Sequence, residues 1–267
     1  MNATLDRRAA FLHEIGVGPL WQRRTALSPQ QPSVDTIAET SEPVTVLDAA
    51  SQEAPVTAMS DTGEIAASAP PAREVAGMDW AQLKSSVATC TKCGLCRGRT
   101  NTVFGVGDEK AKWLFVGEGP GRNEDLRGEP FVGQAGKLLD NMLLAMGLRR
   151  GENAYIANIV KCRPTDETGR DRAPTQDEAA ACMPYLERQI ALIQPAIIVA
   201  LGKTAAVSLL GLNPETPVSK MRGIVHRHAD RPLVVTYHPA YLLRNMADKK
   251  KAWADLCLAM TAYAGVN

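Results

Sequence analysis

No apolar run among the 267 residues approaches the roughly 18 to 20 needed to span a bilayer, and the N-terminus has no short apolar core of the secretory kind. The chain is therefore expected to be cytoplasmic and to have no membrane partner. A reducing compartment argues against disulfides, so the six cysteines read as ligands, catalytic groups or buried thiols. Two phosphate-binding fingerprints are also incomplete. After Gly117 and Gly119, Arg122 stands where a dinucleotide loop needs its third glycine. Gly202-Lys203-Thr204 imitates the end of a P-loop but has Ile197 at the upstream glycine position.

Large aliphatic and aromatic residues are sparse from about Ser28 to Arg73, where Pro, Ser, Thr, Ala, Glu and Asp dominate without sustained periodicity. Such a stretch buries too little to offset the entropy of ordering and reads as a linker. Ahead of it, Leu5, Leu12 and Ile15 allow a helix before Gly16, Gly18 and Pro19 interrupt it. The net charge of +1 hides an asymmetry: residues 1–80 carry five Lys and Arg against eleven Asp and Glu, and the remainder carries 25 against 18. An acidic extension over residues 1–78 thus precedes a basic body over 79–267, which suits a polyanionic partner.

In the body, apolar runs alternate with helical patterns. Asp79 is expected to cap a helix through Trp80, Leu83 and Val87, with ordered chain resuming there. Strands are predicted at Trp113–Val116, Ala154–Val160, Ala196–Leu201 and Leu233–Tyr237. Helices are predicted at Gly136–Met146, Thr175–Ile193 (Thr175 as cap, Glu178 as its box partner), Lys203–Leu210 and about Asp248–Ala264. This alternation indicates an α/β fold with a mostly parallel central sheet covered on both faces. Ligands of such sheets lie beyond the carboxyl ends of the strands, which directs attention to 117–121, 158–161, 202–204 and 238–244.

Cys90 and Cys93 form a C-x-x-C pair, while Cys162 and Cys182 come from distant segments. By spacing, the four suit either zinc or an iron-sulfur cluster. Cys96 is a possible competitor, and Cys257 falls on the apolar face of the last helix with Trp253, Leu256 and Met260.

From about Trp80 to the C-terminus, roughly 70 per cent of the chain, the sequence resembles the family 4, iron-sulfur uracil-DNA glycosylases. The matching segments are Cys90 to Cys93, Arg99-Thr100-Asn101, Gly117-Glu118-Gly119-Pro120-Gly121, Pro130-Phe131-Val132-Gly133, Asn158 to Pro164, Cys182, and His238-Pro239-Ala240-Tyr241-Leu242-Leu243-Arg244. The resemblance implies a three-layer α/β/α fold and a [4Fe-4S] cluster on Cys90, Cys93, Cys162 and Cys182, structural in role. It further implies a monomeric enzyme that flips uracil from single- or double-stranded DNA, hydrolyses the N-glycosidic bond and leaves an abasic site.

Carried over by position, Phe131 stacks on the base and Asn158 reads its edge, accepting from N3–H and donating to O4, where cytosine presents the opposite pattern. His238 stabilises charge on the departing O2, and Gly117, Glu118 and Gly119 line the pocket. The first motif lacks the Asp found in the best-known branch of the superfamily. Glu118 and Glu124 are both candidates to orient the attacking water, and Glu124 is alternatively placed to exclude thymine at C5. Tyr241, Leu242, Leu243 and Arg244 read as a DNA-contacting wedge loop, and Lys249 to Lys251 as a further backbone contact or a solvated helix face. No lysine in the motifs is evident as a nucleophile, which implies a monofunctional enzyme. The alternatives are a non-catalytic iron-sulfur DNA-binding or polymerase-associated module, and a relative that traps abasic DNA covalently. The acidic extension is expected to occupy the DNA groove in cis or to recruit a repair or replication protein.

Overall fold

The computed structural model describes residues 71–265. The expected N-terminal helix and residues 28–70 of the predicted linker lie outside them. Regular structure is already present before Asp79: residues 71–73, assigned above to the linker, form the first turn of helix α1 (Pro71–Ala76). Val75 anchors this helix in the core at 1% exposure, a single aliphatic residue that no periodic pattern announces. Helix α2 (Trp80–Ala88) follows, with the Asp79 cap and a reciprocal bond from Gln82.

Six strands make one sheet among the described residues: β1 (Val106–Gly107), β2 (Trp113–Gly117), β3 (Ala154–Asn158), β4 (Ile197–Leu201), β5 (Val225–His228) and β6 (Arg231–Thr236), in the order β1-β3-β2-β4-β6-β5. The four inner strands are parallel, and β1 and β5 close the edges antiparallel. Both edge strands escape a reading by apolar runs, since β1 has two residues and β5 reads Val-His-Arg-His with an exposed face. The β3 strand stops at Asn158, two residues short of the prediction.

Helices α3 (Arg122–Arg127), α4 (Gln134–Ala145), α5 (Gln176–Ile193), α6 (Lys203–Leu210), α7 (Val218–Met221), α8 (Pro239–Arg244) and α9 (Lys249–Ala264) complete the domain. The short α3, α7 and α8 were not foreseen; four to six residues are too few for a 3.6-residue period to register. Alternation along β2 separates two cores. Leu114 and Val116 pack with α2, α5 and α6 through Leu83, Leu186, Ile190 and Leu209, whereas Trp113 and Phe115 pack with α4 and α9 through Leu139, Leu143 and Leu256. Helices therefore cover both faces, giving three α/β/α layers. From β2 the chain passes first to β3 on one side and later to β4 on the other. The crevice of this sheet consequently opens beyond the carboxyl end of β2, at Gly117 and Glu118.

Candidate active site

Four groups converge at that crevice. Gly117 ends β2 and Asn158 ends β3 directly beside it. A Cβ on Gly117 would lie 2.5 Å from Asn158 Oδ1 and 2.6 Å from Phe131 Cζ, so only a glycine lets the carboxamide and the ring come this close. The Phe131 ring lies 5.5 Å from that of His238, at an interplanar angle of 32°. Asn158 is 2% exposed, and its Oδ1 is buried without a hydrogen-bond partner. A buried acceptor left unpaired costs free energy, about 1–3 kcal/mol, and is rare unless something outside the fold completes it.

Phe131 is held against its own preference. Its φ of 55° is left-handed, a region that bulky residues rarely enter. Two clamps fix it. Arg150 donates to Pro130 O at 2.9 Å and Phe131 O at 2.8 Å while its Nε donates to Asp140. On the other side, Glu124 Oε1 accepts from the backbone N–H groups of Val132 and Gly133, both at 2.9 Å. Glu124 Oε1 is thus tied to the turn carrying Phe131.

His238 caps α8: its Nδ1 accepts from Ala240 N at 3.2 Å. A ring nitrogen that accepts carries no proton, so the proton of the neutral ring sits on Nε2. Burial pushes the imidazole pKa down to about 4, and Arg244 pushes in the same direction against an opposing pull from Glu124. The ring is therefore neutral near pH 7, with Nε2–H as its donor, a point the sequence left open.

Glu118 accepts a hydrogen bond from Thr204 Oγ1 through Oε2. At Gly119 a Cβ would meet Val160 Cγ2 at 2.7 Å, so packing leaves no room for a side chain there. The wedge-loop reading of 241–244 also needs correction. These residues are helical, and Leu242, at 2% exposure, packs against Leu138 and Ala252. Tyr241 is engaged with Asp248 Oδ2 at 2.7 Å and stacks on Tyr237. Leu243 and Arg244 remain on the surface. Lys251 pairs with Asp248 at 2.8 Å.

The cysteines form a second centre. Cys90, Cys93, Cys96, Cys162 and Cys182 line one pocket with Arg99 and Lys161, and all are free thiols. Burial pushes the thiols of Cys93 and Cys162 up and that of Cys182 to about 11. Donors already face the sulfurs: Arg99 NH1 to Cys162 Sγ at 3.2 Å and Lys161 N to Cys182 Sγ at 3.3 Å. Among the described residues no three His, Cys, Asp or Glu side chains are arranged to hold a single metal ion. Lys161, fully buried, donates to Asn158 O at 2.9 Å and Gln189 Oε1 at 2.7 Å, and burial lowers its pKa to about 8.

Asp125 joins the two centres. Buried in α3, it accepts from the backbone N–H groups of Thr100 and Asn101, while Asn101 Nδ2 returns a bond to Asp125 O. The segment that carries Arg99 to the cysteines is thereby tied to the helix that carries Glu124. Asp125 and Arg150 were missed by the sequence reading, and Thr204 was singled out only as part of the 202–204 turn. Thr204 had a signal, the Gly-Lys-Thr turn after a strand; Arg150 and Asp125 had none beyond a charge near a motif.

Residues 104–257 match the family model described as the uracil DNA glycosylase superfamily. The chain is 47% identical over 163 residues to the type-4 uracil-DNA glycosylase of Archaeoglobus fulgidus, covering 59% of this chain and 79% of that protein. It is 44% identical to the type-4 enzymes of Sulfurisphaera tokodaii, over 61% of this chain and 76% of that one, and of Thermotoga maritima, over 61% and 82%.

Proposed function

The chain belongs to the uracil DNA glycosylase superfamily, and we propose that it is a DNA repair glycosylase that flips uracil out of DNA, hydrolyses its N-glycosidic bond and leaves an abasic site. The observation that carries this reading is the orphaned, buried Asn158 Oδ1 beside the Phe131 ring and the bare Gly117. Uracil N3–H is the donor that completes this acceptor, the same carboxamide can donate to O4, and Phe131 offers a face on which the base stacks. Cytosine, with an acceptor at N3 and an amino group at C4, leaves the carboxamide mismatched at both positions.

As the bond to C1′ lengthens, negative charge gathers on the base and positive charge on the sugar. Neutral His238 stabilises the charge on O2 by a hydrogen bond donated from Nε2. Glu118 orients the attacking water and faces the oxocarbenium-like sugar, a role for which one of its carboxylate oxygens is left by the Thr204 bond. Glu124 braces the Phe131 turn through Oε1, which accepts from Val132 and Gly133. Leu243 and Arg244, exposed at the end of α8, are the residues of this segment that can reach DNA.

The donor set also fits a [4Fe-4S] cluster. Thiols from separate segments border one pocket, and Arg99 and the Lys161 N–H are ready to stabilise thiolate charge. Cys90, Cys93, Cys162 and Cys182 would hold it, with Cys96 on the same wall. Bound there, it would supply a covalent tie between those segments, and hydrolysis of a glycosidic bond calls on no electron transfer.

Anaerobically purified protein incubated with uracil-containing single- and double-stranded oligonucleotides tests the proposal. Alkali-labile sites are expected, with no strand break before alkali and no borohydride-trapped adduct. A trapped adduct would replace water by a protein nucleophile, and intact uracil DNA would favour the non-catalytic module.

A further inference from the structure

Gly202-Lys203-Thr204 fails as a phosphate loop, yet it has the local form of one: a strand, a glycine turn and the N-terminus of an eight-residue helix with no side-chain cap. The anion at this helix end is the protein's own. Thr204, in the first turn of α6, donates through Oγ1 to Glu118 Oε2, so the Glu118 carboxylate lies by the positive end of the helix dipole. The turn is firmly seated. Gly202 is left-handed at φ 95°, donates to Thr236 O at 2.8 Å, and presses so near His238 that a Cβ would lie 2.9 Å from His238 Cβ.

We infer that Thr204 is a positioning residue for uracil excision, fixing the Glu118 carboxylate so that its free oxygen Oε1 presents one lone-pair direction to the attacking water. The inference rests on the glycosylase reading above. Glu118 is half-buried at the strand end, and among the described residues no other side chain donates to its carboxylate. Without the hydroxyl its side chain spreads over several rotamers, and the water it holds loses its aim at C1′. DNA and uracil binding use other groups, Phe131, Asn158 and Leu243 among them, so the loss falls on the chemical step. The same β4 turn abuts His238, which makes it the common support of the group acting on the leaving base and the group acting on the water.

Single-turnover uracil release and oligonucleotide affinity should be measured for wild type, Thr204→Val, Thr204→Ala and Thr204→Ser, with melting temperature and visible absorption recorded for each. Val keeps the shape and removes the hydroxyl; Ser keeps the hydroxyl. Expected is a rate lower by ~10- to 100-fold in Val and Ala at unchanged affinity, melting temperature and absorption, with Ser near wild type. A Val variant as fast as wild type, a Ser variant as slow as Val, or a rate loss matched by lost affinity or melting temperature would overturn it. Wild-type protein that carries iron and sulfide yet releases no uracil would remove the glycosylase reading itself, and this inference with it.

Discussion

At the residue scale, the pocket depends on what is missing at Gly117 as much as on what is present around it. Adding one methyl there drives into Asn158 Oδ1 and the Phe131 ring together. Gly117→Ala should therefore lower uracil excision by ~100-fold or more while costing only about 1–3 kcal/mol of stability, as read by single-turnover assay and thermal unfolding. His238 gives a second prediction. Its pKa is depressed to about 4, so the neutral, donating form persists as pH falls well below the ordinary histidine value of 6.5. The single-turnover rate should show no inflection near 6.5 and should fall only as pH approaches about 4. Between those values the unfolded chain binds the proton that the folded ring refuses, so His238 costs stability there, and His238→Gln should melt relatively higher at pH 5 than at pH 8. A rate loss centred near 6.5 would show that the ring titrates freely. Asn158, Phe131 and His238 were legible because each falls in a motif; the left-handed backbone of Phe131 and the tautomer of His238 were not, because both follow from partners remote in sequence.

At the element scale, the strands that end at the site were readable from apolar runs, and the capped helices α2 and α5 from their capping boxes. The elements that escaped are short or polar, and they matter here. Helix α8 turns the expected wedge loop into a packed element, because Leu242 finds a core with Leu138 and Ala252 that sequence spacing does not reveal. Helix α3 carries both Glu124, which braces the Phe131 turn, and Asp125, which holds residues 100 and 101. Asp125→Ala would leave two backbone donors without their acceptor, a loss of about 2–4 kcal/mol. Its melting temperature should drop, and the visible absorption of the proposed cluster should bleach faster on exposure to air than in wild type. Equal bleaching in the two proteins would mean that the Arg99 segment is held by other contacts.

At the scale of the whole molecule, the three layers place the pocket at the point where strand order switches from β3 to β4, and the cysteines on segments flanking the same end of the sheet. Alternating strands and helices made that architecture legible in the sequence. Spacing already grouped the four cysteines as one candidate site, but it left zinc and an iron-sulfur cluster equally open, and only the resemblance chose between them. Because thiols from three separate chain segments border one pocket, removing the proposed cluster should loosen the domain as well as the site. After anaerobic chelation the melting temperature should fall, and proteolysis should cut first near residues 90–100. An unchanged melting temperature would indicate that thiol packing alone holds these segments.

The most direct test of the central claim is the single-turnover rate of base release by one iron- and sulfide-containing preparation on three oligonucleotides that differ only in carrying uracil, cytosine or thymine at one position. Free uracil is expected in amounts equal to the abasic sites formed, with no measurable release of cytosine or thymine. Absence of uracil release, or release of cytosine at a similar rate, would contradict it.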